Sequence, residues 1–337
     1  MINQVELKNF GSIERLEWQN LDKINLIIGN NGCGKSFLLK ALYCSVRTLE
    51  EYKRGANPDS AAEILYQKLF WTFQPEKKKI GDLVNKQSGA TLFFKCELDN
   101  RVFSYSFGKD TTKTITTLEN HVLPRASNSI FLPAKEVLSL HHIILESRDT
   151  NKVFGFDDTY LDLARALRQL KTRGRNSSEF AQSRSSLEDI IGGKIEYDEA
   201  SERWQFKNSK NQKFAIGMTA EGIKKIAILD TLLGNRYLTD NSIIFIDELE
   251  SALHPTAISK LLDIVAMLAS RGIQFFIASH SYFVVKKLFL IAQEQKISIP
   301  VLSYQDNEWV QSNLLDEMPD NPIIDESIRL YKQEIGL

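Results

Sequence analysis

Cysteine is scarce in this chain of 337 residues, which contains only Cys33, Cys44 and Cys96. Their number is odd, and none of them lies at the short spacing of a zinc-binding or redox-active pair. A disulfide framework and a cysteine-based metal site are therefore excluded. This cysteine usage is typical of a reducing compartment.

Long apolar runs and an excess of one charge are absent too. The segment YFVVKKLFLIA is broken by two lysines and is shorter than the ~18 residues of a membrane-spanning helix. The first residues, MINQVELKNF, lack the basic start and apolar core of a signal peptide, so we expect a cytoplasmic protein with no membrane partner. Lys plus Arg (42) and Asp plus Glu (43) nearly cancel, so the composition predicts no general preference for polyanions.

The apolar periodicity predicts alternating strands and helices. INQVELKNF and INLII predict strands, and the latter leads through GNNGCGKS into the helix SFLLKALYCSVRTL. Further strands are predicted in TLFFKCEL, RVFSYSF, KTITTL, SIFLPA, KIEYDEASERWQFKN, IIFID and IQFFIASHS, and further helices in 51–90, FDDTYLDLARALRQLK, TAEGIKKIAILDTLLGN and TAISKLLDIVAMLASRG. We expect Gly234 and Gly272 to end the last two helices and Pro255 to begin the final one. The Ser- and Arg-rich segment 170–186 is predicted to be a mobile connection.

The loop GNNGCGKS matches the phosphate-binding pattern G-x-x-x-x-G-K-[ST] at every fixed position. Its glycines allow successive N–H groups to point at phosphate oxygens, while the lysine places a charge between the β- and γ-phosphates. The serine hydroxyl is placed to bind Mg²⁺. The sequence thus predicts a nucleotide site formed by Gly29, Asn30, Asn31, Gly32, Cys33, Gly34, Lys35, Ser36 and Phe37.

A second motif, IIFIDELESALHP (243–255), ends an apolar strand with carboxylates. Asp247 is predicted to hold the Mg²⁺ through water, and Glu248 to orient or deprotonate the attacking water. The alternative is a strand end at which acidic residues merely return to solvent. The phosphate-binding loop upstream makes the catalytic interpretation the stronger one.

Lys35 and Asp247 lie 247 − 35 = 212 residues apart, so a large insertion separates the two motifs. With this spacing, the pieces KNFGSI, GNNGCGKS, SIFLPAKE, TAEGIKK, IIFIDELESALHP and FFIASHS resemble the ABC-type ATPases of the RecF/SMC/OLD group. Within that group the chain is similar to the compact AAA ATPases of bacterial anti-phage systems such as Septu and PARIS. The resemblance implies an α/β P-loop NTPase fold of the ABC/SMC-head type. Such a fold has a central, mostly parallel sheet with helices, an antiparallel β-subdomain and a helical insertion.

The resemblance also implies roles for residues outside the two motifs. TAEGIKK corresponds to the signature loop that reaches a partner's γ-phosphate across a dimer, which implicates Thr219 and Gly222 in nucleotide binding. Ala220 and Glu221 depart from the usual L-S-G-G pattern, so we expect slow hydrolysis by the chain alone. His280 stands where the family keeps a catalytic switch histidine. Lys135 or Glu136 occupies the region of the family's metal-sensing glutamine.

The resemblance implies one ATPase domain over 1–337, with 1–50 and 214–305 as the nucleotide-binding core. Residues 51–213 would be the inserted β-subdomain and helical region, and 306–337 a C-terminal tail. We expect a homodimer or higher homo-oligomer that regulates a separate effector. Only 337 − 280 = 57 residues follow His280, too few for an appended nuclease, so the effector is expected to be another polypeptide.

The alternative function is a RecF-like repair ATPase that binds DNA directly. A basic stretch is the sequence feature that nucleic acid or an acidic partner could use, although a solvated helix and loop is the simpler interpretation. Its members are Arg165, Arg168, Lys171, Arg173, Arg175 and Arg184.

Overall fold

The computed structural model describes residues 1–87, 89–169 and 180–336. Within these ranges the strands are β1 (Ile2–Phe10), β2 (Ile13–Trp18), β3 (Ile24–Ile28), β4 (Leu92–Leu98), β5 (Arg101–Phe107), β6 (Thr117–Asn120), β7 (Ile130–Leu132), β8 (Gly193–Asp198), β9 (Arg203–Asn208), β10 (Lys213–Ala215), β11 (Ile243–Asp247), β12 (Gln274–Ser279), β13 (Pro300–Gln305) and β14 (Glu308–Asn313). The α-helices are α1 (Lys35–Glu51), α2 (Ala61–Phe73), α3 (His141–Leu145), α4 (Asp158–Leu167), α5 (Ala181–Ile191), α6 (Glu221–Gly234), α7 (Pro255–Ser270), α8 (Tyr282–Gln295) and α9 (Pro322–Glu334).

A six-stranded sheet with the order β14-β13-β3-β12-β11-β7 forms the centre of the fold. All neighbouring pairs are parallel except β13 and β14. β3 and β12 are buried along their whole length, which is why their sequences are continuous apolar runs rather than alternating ones. The predicted mostly parallel central sheet is confirmed.

The two faces of this sheet bury different cores. Leu26 and Ile28 pack into a core shared with α4 to α8 and with the antiparallel sheet β10-β9-β8. Ile27 points the other way, into a core shared with α1 and the antiparallel sheet β2-β1-β4-β5-β6. Helix α1 therefore lies between two sheets and is buried around most of its circumference. This packing fixes the helix that follows the phosphate-binding loop.

Several local predictions need correction. The strand predicted at KTITTL is displaced to Thr117–Asn120. Beyond the end of α1 at Glu51, the described residues of 51–90 contain only one α-helix, α2, which begins with a capping box at Ser60. The predicted mobile connection is wrong for Ala181–Ser186, which begin α5 because Leu187 and Ile191 bury one face of that helix. The remainder of that prediction, 170–179, lies outside the described residues, apart from Phe180, the residue before α5.

The predicted boundaries of the core, the insertion and the tail do not coincide with the boundaries of the sheets. β7 comes from the predicted insertion 51–213, yet it pairs with β11 in the central sheet. β14 begins in the predicted tail 306–337 and pairs along its length with β13. None of the helices in the described ranges is long and apolar enough to cross a membrane.

Candidate functional site

Three adjacent parallel strands carry the candidate site at their carboxyl ends. β12 lies between β3 and β11, in register with both. The phosphate-binding loop follows β3, Glu248 follows β11 and His280 follows β12. Since the carboxyl ends of neighbouring parallel strands meet at one edge of a sheet, these three segments converge there.

The phosphate-binding loop turns on glycines in the left-handed region. Gly29, Gly32 and Gly34 have φ values of 153°, 83° and 104°, a conformation that residues with a Cβ rarely adopt. Asn30, Asn31 and Gly32 are exposed at the tip of the loop, and Cys33 is partly exposed.

The Lys35 side chain folds back over this loop. Its Nζ donates hydrogen bonds to the carbonyl oxygens of Gly29 (2.7 Å) and Asn30 (3.0 Å). The ammonium group is therefore held inside the loop, where the N–H groups of a phosphate-binding loop face an anion.

Ser36 and Asp247 join the two motifs. Ser36 Oγ donates a hydrogen bond to Asp247 Oδ1 at 3.0 Å, across 211 residues of sequence. Burial raises the pKa of Asp247, and the hydrogen bond from Ser36 opposes that rise. A bound cation would favour the charged carboxylate, so this pair of oxygens fits a site for Mg²⁺.

The described residues contain no cluster of three or more His, Cys, Asp or Glu side chains that could hold a metal ion by themselves. A cation at Ser36 and Asp247 would therefore complete its oxygen shell with phosphate and water, as is usual for Mg²⁺ bound with a nucleotide.

Glu248 sits at a strained position beside this pair. Its φ is +49°, in the left-handed region that is uncommon for a residue with a side chain. The backbone N–H of Glu248 donates to the carbonyl of Ala278 (3.0 Å), which ties the turn to the end of β12. Its side chain is only partly buried.

His280 and Glu250 form a contact at the neighbouring strand end. Oε1 of Glu250 accepts hydrogen bonds from Ser279 Oγ (2.9 Å) and from the backbone N–H of His280 (3.0 Å). The ring Nδ1 of His280 lies 3.5 Å from the same oxygen. The ring itself is 48% exposed, so it remains accessible from the open side of the edge.

The predicted signature segment is packed within its own chain. α6 begins at Glu221, and a Cβ added at Gly222 would lie 2.7 Å from the carbonyl oxygen of Ala252. Gly222 is therefore a close packing point against the turn after Glu248, a contact that the sequence did not predict. Thr219 is buried, and its hydroxyl has no hydrogen-bond partner among the described residues.

Other predicted positions have structural contacts. Phe37 packs against Phe10 and Phe73, with ring centroids 5.2 Å and 4.5 Å away. Glu136 accepts a hydrogen bond from the N–H of Ser139 (2.6 Å), so its carboxylate caps a local turn.

α6 ends at the predicted glycine. Gly234 is its last residue, and its φ is not in the left-handed region. A Cβ there would lie 2.9 Å from the guanidinium of Arg184. Gly272, at φ +113°, and Pro255 stand at the predicted ends of α7.

Lys225 is a site residue to which the sequence analysis gave no role. From α6 its Nζ donates to the carbonyl oxygens of Asp247 (3.4 Å) and Glu248. Burial lowers the pKa of Lys225 to about 8, although Glu250, Asp247 and Glu248 oppose that fall. In the sequence, Lys225 is only the second of two lysines near the start of α6. That pattern does not predict a contact with Asp247, 22 residues away.

The sequence and the fold are similar to those of known proteins. A family described as "AAA domain, putative AbiEii toxin, Type IV TA system" matches residues 24–286. An uncharacterised protein of Methanocaldococcus jannaschii is 34% identical over 88 residues, 26% of this chain and 37% of that protein. The DNA replication and repair protein RecF of Bacillus thuringiensis is 45% identical over 42 residues, 12% of this chain and 11% of RecF. The chain thus matches well under two thirds of these relatives' own lengths.

Two solved structures share the fold. An Smc head domain with an extended coiled coil, bound to the C-terminal domain of ScpA and derived from Pyrococcus furiosus, has a TM-score of 0.51 at 14% identity; 97% of this chain and 99% of that one are covered. An SmcHead bound to the C-winged helix domain of ScpA has a TM-score of 0.53 at 14% identity, with 94% and 98% covered. At this identity the likeness concerns the fold alone, and the predicted SMC-head type of fold is confirmed.

Proposed function

The chain belongs to this family of AAA domains, and from that premise we propose that it is a Mg²⁺-dependent ATPase that dimerises around ATP and regulates a separate effector in anti-phage defence. The observation that carries the proposal is the hydrogen bond between Ser36 Oγ and Asp247 Oδ1 at 3.0 Å. It joins the phosphate-binding loop to the acidic strand end at the place where P-loop enzymes hold the cation of their nucleotide.

Each residue at the edge has a role in this proposal. Lys35 exchanges its carbonyl partners, Gly29 and Asn30, for phosphate oxygens. Ser36 and Asp247 hold the cation, and Glu248 orients or deprotonates the attacking water. His280 contacts the γ-phosphate from its exposed position. The Mg²⁺–ATP complex supplies the transferable phosphoryl group and the positive charge that stabilises it.

Dimerisation is supported by the resemblance of the segment beginning at Thr219 to a signature loop that acts across a dimer. The side of the γ-phosphate away from the loop needs donors that the resemblance assigns to the segment beginning at Thr219 in a second copy. The free N–H groups at the start of α6 are suited to this, because a helix start favours an anion. The close packing of Gly222 on Ala252 supports a coupling of this segment to the turn that carries Glu248.

A RecF-like ATPase that binds DNA directly is the alternative, favoured by the short match with RecF. In the predicted basic stretch, the arginines within the described ranges already have acidic partners. Arg165 pairs with Asp149, Arg168 with Glu199 and Arg184 with Asp230. Lys171, Arg173 and Arg175 lie outside the described residues. The described arginines therefore do not form an unpaired basic patch that by itself argues for direct DNA binding.

Phosphate release by the purified chain tests the ATPase proposal. Wild type is expected to hydrolyse ATP slowly with Mg²⁺ and not at all after chelation by EDTA. Lys35→Ala should lose both hydrolysis and binding of a fluorescent ATP analogue. Lys287→Ala is the control, because Lys287 pairs with Asp263 away from the site, at 2.7 Å. Equal phosphate release by Lys35→Ala and wild type would contradict the proposal.

Phage challenge of bacteria that express the chain together with its neighbouring gene tests the defence role. Protection should need both polypeptides and should disappear with Lys35→Ala. Fluorescence anisotropy with labelled DNA distinguishes the alternative. ATP-dependent DNA binding without any effect on phage would favour the RecF-like function.

A further inference from the structure

Glu250, the third acid of the motif, is largely buried and hydrogen-bonded, although the proposed chemistry gives it no role. Its side chain is 10% exposed. Oε1 accepts from Ser279 Oγ and the N–H of His280, and Oε2 is buried without a hydrogen-bond partner among the described residues. Burying a carboxylate is costly unless hydrogen bonds compensate it, and the two bonds to Oε1 do so here. Here they hold the end of β12 against the turn after β11.

Lys225 contacts the same turn through a second set of hydrogen bonds. It extends from α6 and donates to two successive carbonyl oxygens, those of Asp247 and Glu248. An ammonium group buried beside main-chain carbonyls contributes little net stability, because its desolvation offsets the attraction. Its contacts are specific to the two residues on which hydrolysis would depend.

The turn that contains Glu248 and Glu250 has a strained backbone. Glu248 has φ +49° and Ala252 has φ +62°, and such conformations persist only where neighbouring contacts hold them. The carbonyl of Glu248 accepts from both Lys225 and the N–H of Ser251 (3.0 Å). The strained backbone and the hydrogen bonds that hold it therefore lie in the same turn.

We propose that Lys225 and Glu250 are positioning residues that clamp the turn carrying Glu248. Lys225 fixes the main chain of Asp247 and Glu248, and Glu250 fixes Ser279 and His280 against the same turn. Both side chains contact only protein atoms, so neither is assigned a role in binding the nucleotide. The clamp fixes the orientation of the Glu248 carboxylate. This role rests on the proposed ATP hydrolysis.

The test separates nucleotide binding from turnover in Lys225→Met and Glu250→Leu. Both variants should bind a fluorescent ATP analogue like wild type, since the phosphate-binding loop is untouched. Their kcat should fall about 10- to 100-fold, the scale on which a catalytic group displaced by about 1 Å loses rate. Glu250→Gln retains an acceptor for Ser279 and His280 and should keep most of the turnover. Lys287→Met is the control for the loss of a paired lysine and should match wild type.

The outcomes are distinct. Wild-type kcat in both Lys225→Met and Glu250→Leu overturns the clamp while leaving the proposed function intact. A parallel loss of binding, turnover and thermal stability assigns both residues a merely structural role and also overturns it. Absence of hydrolysis by wild type overturns the proposed function, and the clamp with it. If Glu250→Leu fails to fold, Lys225→Met carries the test, and a wild-type kcat in that variant overturns the clamp.

Discussion

Glu248 is the residue whose removal should separate binding from chemistry. Glu248→Gln keeps the size and polarity of the side chain but removes the carboxylate that activates water. We expect ATP binding to be retained and phosphate release to fall below a tenth of the wild-type rate, since general-base catalysis contributes about 10²–10⁴-fold. Binding of a fluorescent ATP analogue and phosphate release, measured on the same preparation, check this. Unchanged turnover would exclude Glu248 as the base.

Cys33 offers a probe of the phosphate-binding loop. It is partly exposed, whereas Cys44 and Cys96 are buried, and burial raises the pKa of both of those thiols, that of Cys96 to about 12. A maleimide should therefore label Cys33 first, and Mg²⁺–ATP should slow that labelling by covering the loop. Mass spectrometry of the labelled peptides measures this, with the two buried cysteines as internal controls. Labelling of Cys33 that nucleotide does not change would contradict an ATP site at this loop.

The roles of the residues in the two motifs could be predicted from the sequence, because the residue types in each short pattern indicate phosphate or Mg²⁺ binding. Lys35 and Asp247 stand in patterns with few alternative interpretations. The positions of Lys225 and Glu250 could not be predicted, since their contacts join α6, β11 and β12. Those contacts depend on packing between elements rather than on any local pattern.

The start of α6 gives a prediction at the scale of elements. Alanine normally favours a helix over glycine, but the Cβ in Gly222→Ala would press on the carbonyl of Ala252. We expect the free energy of unfolding to fall by about 1–3 kcal/mol, the usual cost of overpacking. Gly217→Ala is the matched control, because nothing lies within 4 Å of a Cβ there. Urea denaturation of both variants measures the difference, and equal stability would show that α6 and the turn are not closely packed.

A buried ionic network joins α1 to α2 and α4. Asp162 accepts hydrogen bonds from Tyr43 (2.6 Å) and Lys68 (3.0 Å). Burial alone would raise its pKa, but Lys68 and Arg47 outweigh burial and hold the pKa of Asp162 well below its usual range. Asp162→Asn should therefore cost about 1–3 kcal/mol at pH 7, because Lys68 and Arg47 lose one buried carboxylate partner while Glu50 and Glu51 still pair with them.

The pH dependence of that difference follows from the lowered pKa. A carboxylate with a lowered pKa in the folded state stabilises the fold above its unfolded pKa of about 3.9. The difference between Asp162→Asn and wild type should be constant near neutral pH and shrink below about pH 4. Thermal unfolding at several pH values measures it, with Asp263→Asn as the exposed control. A difference that persists unchanged to pH 2 would contradict the ionic origin.

Elements with strong periodicity could be predicted, and weakly patterned ones could not. β3, β11 and β12 are short apolar runs bounded by polar or glycine-containing turns, and this combination of length and flanks predicts buried strands. The strand β14 lies at a sheet edge and is largely exposed, so its sequence EWVQSN carries little apolar signal. The helix α5 buries few of its residues, which is why its Ser-rich start resembled a loop.

At the scale of the whole molecule, the two antiparallel sheets explain the long interval between the motifs. The insertion does not form a separate unit, since β7 returns to pair with β11 and the sheet β2-β1-β4-β5-β6 covers α1. Such pairing joins distant parts of the sequence, so no local pattern predicts it. The single ATPase domain over 1–337 stays a prediction.

The mass of Glu248→Gln in solution, measured by light scattering with and without Mg²⁺–ATP, tests the central claim that ATP is held between two copies of the chain. This variant is chosen because it should bind ATP and hydrolyse it too slowly to release the partner. Without nucleotide we predict one chain of 38.5 kDa, and with saturating Mg²⁺–ATP twice that mass. Lys35→Ala in the same background should remain a single chain. A mass of 38.5 kDa under both conditions, with ATP shown to be bound, would contradict the account.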